Sequence, residues 1–180
     1  NQTVSNFKSL ADKAYSDAKL LSDKKYAKDE IEKSAQNIEK NIKDVCTNLT
    51  NDEKTKLLSD LENAKNAAQQ AIDGASTSDM VNSQKQLGLT ALSTVDNEAK
   101  LINAKNLAIS QIDNDVKEKL AKIDQMSNLS EKDKTDYKKE VTDAAAEATT
   151  AIKAATTPVG VTTAKAEKYD KPAKSTVDNA

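Results

Sequence analysis

The chain has 180 residues, 31% charged, 37% hydrophobic and only 3% aromatic, with a formal net charge of -2 and a mean hydropathy of -0.73. That balance offers no global pull toward nucleic acid or an anionic membrane, and no apolar run approaches the ~18 residues of a membrane span. His, Arg and Trp are absent, and Cys46 is the single cysteine, which excludes an internal disulfide and a cysteine-only metal site.

An Ala/Lys/Glu/Leu-rich composition with three Gly and two Pro belongs to long helices and helical bundles. The chain opens with "NQTVSNF", without Met or a signal-peptide pattern, so it reads as a piece of a longer protein. Residues 1–16 are expected to be the end of a preceding repeat or a linker.

From residue 17 the apolar spacing becomes regular. Ala27, Ile31, Ala35, Ile38, Ile42, Val45 and Leu49 step by three or four and predict one amphipathic helix. Thr50-Asn51-Asp52-Glu53 then reads as a capping box opening a second helix, lined by Leu57, Leu61, Ala64, Ala68, Ala71 and Ala75. Asp73-Gly74 closes it, Gly74 being a residue tolerant of positive φ. Ser78-Asp79 starts a third, weaker stripe of Val81, Gly88, Ala91 or Leu92, and Val95.

The design then recurs. "DAKLL" at Asp17–Leu21 returns as "EAKLI" at Glu98–Ile102, and Ile31, Ala35 and Ile42 fall on Ile112, Val116 and Ile123. "NLTNDEKTKLLSDLENAKNAAQQAID" from Asn48 keeps its apolar skeleton in "NLSEKDKTDYKKEVTDAAAEATTAIK" from Asn128. In the second copy the stripes are Ala108, Ile112, Val116, Leu120 and Ile123, then Tyr137, Val141, Ala144, Ala148, Ala151 and Ala155. Ser130 with Asp133 is the capping counterpart, and Thr157-Pro158 opens the last helix. Ser93–Asn97, "STVDN", returns at 175–179.

Three antiparallel helices close a core where two leave it wet. The fold expected is all-α: two tandem antiparallel three-helix bundles in an elongated rod, repeat 1 over residues 17–97 and repeat 2 over 98–180. Ser93-Thr94-Val95-Asp96-Asn97 are middling helix formers that can cap a new start. Nothing there forces a break, and a shared helix from Asp79 to Met126, roughly 70 Å long, is expected. Pro172 is expected to shorten or kink the final helix.

Candidate chemistry is sparse. Without His the commonest general base and metal ligand is missing. The carboxylate pairs Asp113/Asp115 and Asp133/Asp136 lie among lysines and read as solvated helix faces. "DNDVKE" at Asp113–Glu118 lacks the central Gly of a calcium loop. Cys46 reads as a small core filler, replaced by Ser127 in the second copy. The sequons at Asn48 and Asn128 coincide with capping residues. Lysine pairs such as Lys24-Lys25 and Lys138-Lys139 lack an aromatic platform. No catalytic, cofactor-binding or metal-ligating residue is assigned, no cofactor is expected, and the chain is expected not to be an enzyme.

Leu49-Thr50-Asn51-Asp52-Glu53-Lys54 and Ala71-Ile72-Asp73-Gly74-Ala75-Ser76-Thr77 carry a resemblance that extends over about 160 residues. Both stretches are similar to the tandem three-helix repeats of Gram-positive cell-wall-anchored surface proteins, the extracellular-matrix-binding and biofilm-associated adhesin type. In the second copy Asp133 stands for the Glu and Lys153 for the Asp. The resemblance implies an extracellular, wall-linked structural stalk that projects a terminal binding domain. Its partners would be neighbouring repeats of the same chain, in a monomer without nucleic acid or a membrane span. A helical module that binds host matrix or serum protein is the alternative.

Overall fold

The computed structural model describes residues 2–173, all connected by helices and short turns. The recurrence of Ser93–Asn97 at 175–179 lies outside the described residues. Helix α1 runs Gln2–Lys40 and ends in a π-helical turn, Asn41–Val45; α2 is Asn51–Gly74; α3 is Ser78–Gln125; α4 is Glu131–Ala154; α5 is Pro158–Lys165, followed by a second π-helical turn, Ala166–Asp170. The chain divides into two compact units, Asn1–Ala99 and Lys100–Ala180. Each is an antiparallel three-helix bundle.

In unit 1 the helix directions follow from their cross-links. Lys24 near the start of the packed part of α1 reaches the Asp73 carbonyl at the end of α2, so those helices are antiparallel. The first part of α3 runs parallel to α1, because Ser78 meets Asp23 and Asp96 meets Asn41, both 55 residues apart. The stripe Ala27, Ile31, Ala35, Ile38 and Ile42 is buried against Leu57, Leu61, Ala68 and Ile72 of α2 and Val81, Leu92 and Val95 of α3.

The register changes at the end of α1. Val45, expected in the core, is 64% exposed, and Cys46 is buried in its place. The π turn widens the helix, so the core face returns after four residues rather than three, and Ile42 is followed by Cys46. The Cys46 amide donates to the Asn41 carbonyl at 2.9 Å, which closes that wider turn. Ala91 is likewise exposed while Leu92 is fully buried. Ala64 and Ala71 are half-buried flank residues, and Ile72 takes the deep position.

The capping chemistry is as expected at the helix starts. The Glu53 amide donates to Thr50 Oγ1 at 3.2 Å, and the Thr50 amide to Glu53 Oε2 at 2.8 Å. Ser130 and Asp133 form the same reciprocal pair. Thr157 caps α5 with Pro158 at its first position. Gly74 is the last residue of α2, as expected, but closes it without a positive φ, which no described residue adopts; the helix ends as Ala75 turns extended. A Cβ at Gly74 would meet nothing within 4 Å. Position 88 is the opposite case. A Cβ there would stand 2.5 Å from the Ala68 Cβ and 2.8 Å from Ile31 Cδ1, so Gly88 lets α2 and α3 approach closely.

Helix α3 passes through Ser93–Asn97 without a break. Thr90 and Thr94 return their hydroxyls to the carbonyls four residues back, at 2.9 and 3.0 Å, so Thr94 spends its polar group inside the helix instead of at a cap. Leu92, Val95 and Ala99 are buried around this stretch, and their packing outweighs weak helix propensity.

Unit 2 repeats the plan with one difference. Ala108, Ile112, Ala148, Ile152, Val161, Tyr169 and Ala173 form its core, with Val116, Ala144 and Ala155 partly buried against it. Tyr137 is half-buried at the start of α4. The last helix passes from α geometry into the π turn after Lys165 and is α-helical again over 171–173, so Pro172, expected to shorten or kink it, sits within the helix. The proline ring would crowd the carbonyl one turn back, and the π turn at Ala166–Asp170 widens that region. This turn also absorbs one extra residue, so Tyr169 takes the place that Gly88 holds in unit 1.

Ile42 and Ile123 are both fully buried. Replacing either with Ala is expected to cost ~2–5 kcal/mol by urea denaturation; a loss within about half a kcal/mol would mean an exposed position. The two glycines should respond with opposite signs. Gly74→Ala, which copies Ala154 of the second unit, should stabilise by about 0.5–1 kcal/mol. Gly88→Ala should destabilise by ~1–3 kcal/mol through overpacking.

Candidate functional site

The carboxylate pairs do not converge. Asp133 is committed to capping α4, and Asp136 pairs with Lys132 at 2.5 Å. Asp113 is exposed on α3, whereas Asp115 turns toward the last helix and accepts a hydrogen bond from the Tyr169 phenol at 2.8 Å. Lys119 pairs with Asp115 at 2.9 Å, and Lys165 pairs with Asp170 at 2.8 Å. These groups and Gln111 line an open polar groove of about 520 Å³.

Burial alone would raise the Asp115 pKa. The hydrogen bonds from Lys119 and Tyr169 and the charges of Lys119 and Lys165 outweigh it, leaving Asp115 below the usual carboxylate range. A carboxylate so stabilised is a weak proton acceptor at neutral pH. Tyr169 moves the other way: burial, then the bond to Asp115 and the nearby negative charges, push its phenol well above its ordinary value. The groove is a structural polar lock over a buried aromatic.

Unit 1 holds its own lock elsewhere. Lys85 reaches from α3 to Glu30 at 2.7 Å and lies over the Tyr26 ring, 5.7 Å from its centroid. The hydrogen bond from Lys85 is the main cause of a lowered Glu30 pKa. A wider open groove of about 620 Å³ runs past Leu21, Lys25, Lys28 and Asp73. Between α2 and α3, Ala64, Ala67, Leu87 and Gly88 line an apolar groove of about 220 Å³.

One shared polar contact had passed unrecognised in the sequence. Lys24 Nζ donates to the Asp73 carbonyl at 2.7 Å, and Lys105 Nζ to the Lys153 carbonyl at 2.8 Å. Each lysine therefore caps the last turn of the second helix from the neighbouring helix, where the dipole is negative. The signal was present as a lysine recurring after 81 residues, hidden in a general Lys/Asp background. Cys46 is buried. The sequon hydroxyls of Thr50 and Ser130 are helix caps.

Among the described residues, no three His, Cys, Asp or Glu side chains are grouped so that they could hold a metal ion, and no helix is long and apolar enough to cross a membrane. The family profile "Domain of Unknown Function (DUF1542)" matches residues 23–100 and again 104–178. No curated protein and no solved structure matches the chain.

Replacing Tyr169 with Phe should cost about 1–2 kcal/mol near neutral pH, the low side for a bond to a charged group because Asp115 keeps Lys119 and water. Asp115 has a lowered folded pKa, so its contribution is complete above about pH 4 and fades as pH falls through the folded value. The raised Tyr169 pKa gives stability that is complete below about pH 10 and fades above it. Urea midpoints should therefore separate wild type from Tyr169→Phe by a constant gap between these limits, and the gap should shrink on both sides. A gap independent of pH would contradict the lock.

Proposed function

The chain belongs to the DUF1542 family in two tandem copies, and from that premise we propose that it is a non-enzymatic spacer in the stalk of a bacterial cell-surface adhesin. Its place is outside the cell, on the wall, where it holds a terminal binding domain at a distance. Its immediate partners are neighbouring repeats of the same chain.

The observation that carries this reading is what the two units repeat and what they do not. Both keep the buried Ile/Ala stripes, the Thr or Ser cap and the lysine that caps the second helix. The polar clusters at the core's edge differ: Lys85, Glu30 and Tyr26 in one unit, Asp115 and Lys119 holding the buried Tyr169 in the other. Selection for shape keeps cores and caps, whereas selection for a common ligand would keep a common surface. The resemblance to wall-anchored repeats supports the setting.

The second reading, a module that binds host matrix or serum protein, has one observation in its favour. Val4, Phe7 and Leu10 are 71, 74 and 68% exposed on one helix, and an apolar patch invites a partner. A binding panel separates the two. The immobilised full chain, exposed to matrix and serum proteins in turn, should bind none of them more tightly than the micromolar range. Nanomolar binding to any one, lost on Phe7→Asp, would establish the module instead.

A further inference from the structure

Residues 2–19 of α1 are exposed on every side, yet their apolar residues are not scattered. Val4, Phe7, Ala11, Ala14 and Ala18 step by three and four and form one stripe. A step of nine then separates Ala18 from Ala27, where the buried stripe of unit 1 begins. Nine residues make about two and a half turns, so the second stripe lies on a different side of α1 from the first.

Helix α3 has the same punctuation. Leu92, Val95 and Ala99 are buried in unit 1, and after a step of nine Ala108 is buried in unit 2. The correspondence holds at a constant 81 residues: Phe7 with Gly88, Ala11 with Leu92, Ala14 with Val95, Ala18 with Ala99, Ala27 with Ala108. In α3 every one of those positions is covered by a pair of helices. In α1 the positions up to Ala18 are bare.

We propose that the stripe from Val4 to Ala18 is the third-helix face of another repeat, and that its occupant is a two-helix hairpin like the one formed by residues 100–125 of α3 with α4. This deepens the spacer reading by naming the neighbour and the surface it uses. Phe7 selects the type of hairpin. In unit 1 the hairpin leaves no room for even a methyl at Gly88. In unit 2 the hairpin buries an aromatic, Tyr169, among Ala108, Ile112, Ala148 and Ile152. An aromatic at position 7 fits the second kind of partner.

The test extends the full chain by a copy of residues 98–161 placed directly before Asn1, so that Phe7 follows the copied Val161 by seven residues, as Gly88 follows Val81. Amide hydrogen exchange is read over residues 4–18 with and without the extension. Exchange there should slow by about a hundredfold in the extended chain and return to the original rate with Phe7→Asp, while residues 27–42 keep their protection throughout. Unchanged exchange at residues 4–18 overturns the proposal, whether the copied helices are ordered or not. Sedimentation of the unextended chain should give a monomer; a dimer dispersed by Phe7→Asp would make a second copy the occupant and also overturn it. The matrix and serum panel addresses the spacer reading by itself, so either idea can fail without the other.

Discussion

The fold depends on how closely three helices can approach at one level of each bundle. At position 88 a single methyl would collide with Ala68 and Ile31. Helices this near need small residues on at least one side of each contact, which is why Ala68 stands opposite Gly88 on the second helix while Leu57, Leu61 and Ile72 supply that helix's volume at other levels. Ile31, Ile72 and Leu92 in unit 1, and Ile112 and Ile152 in unit 2, are completely buried. Alanine buries little area, so each bundle rests on a few large aliphatic side chains placed at regular intervals. Surface ion pairs add little, because most link exposed side chains one helical turn apart.

Given that constraint, the two units answer the same problem differently at one point. Unit 1 puts nothing at the third-helix position, and unit 2 puts a tyrosine there. Tyrosine needs space and a partner for its hydroxyl. Space comes with a π turn that widens the last helix, and the partner is Asp115, itself held by Lys119. The extra residue, the wider turn, the buried aromatic and the polar groove are thus one connected adjustment. The groove has a structural cause, and the charges around it are already committed to one another.

Much of this was legible in the sequence because its period is strong. The stripes, both capping boxes, the Thr157-Pro158 start and the shared helix follow from spacing and from side chains that bond the backbone locally. The misplacement of Val45 has a physical reason: its stripe runs on to a helix end, where the actual geometry depends on whether the last turn is α or π and on how the neighbouring helix packs. The lysine caps were missed because their acceptors are backbone carbonyls some 48 residues away, and a carbonyl leaves no mark in a sequence. Asp115 looked like half of a solvated pair because its true partner, Tyr169, lies 54 residues on.

What makes the repeats more than two adjoining domains is the helix they share. Ser93 to Asn97 have weak intrinsic preference for a helix, and the burial of Leu92, Val95 and Ala99 keeps α3 whole. Cα chemical shifts from Leu92 to Ala108 test this directly. A continuous α3 gives helical shifts at every residue, including Asp96 and Asn97. A run of coil values there, with the shifts of a new cap at Asp96 or Asn97, would mean two separate helices and would contradict a shared one.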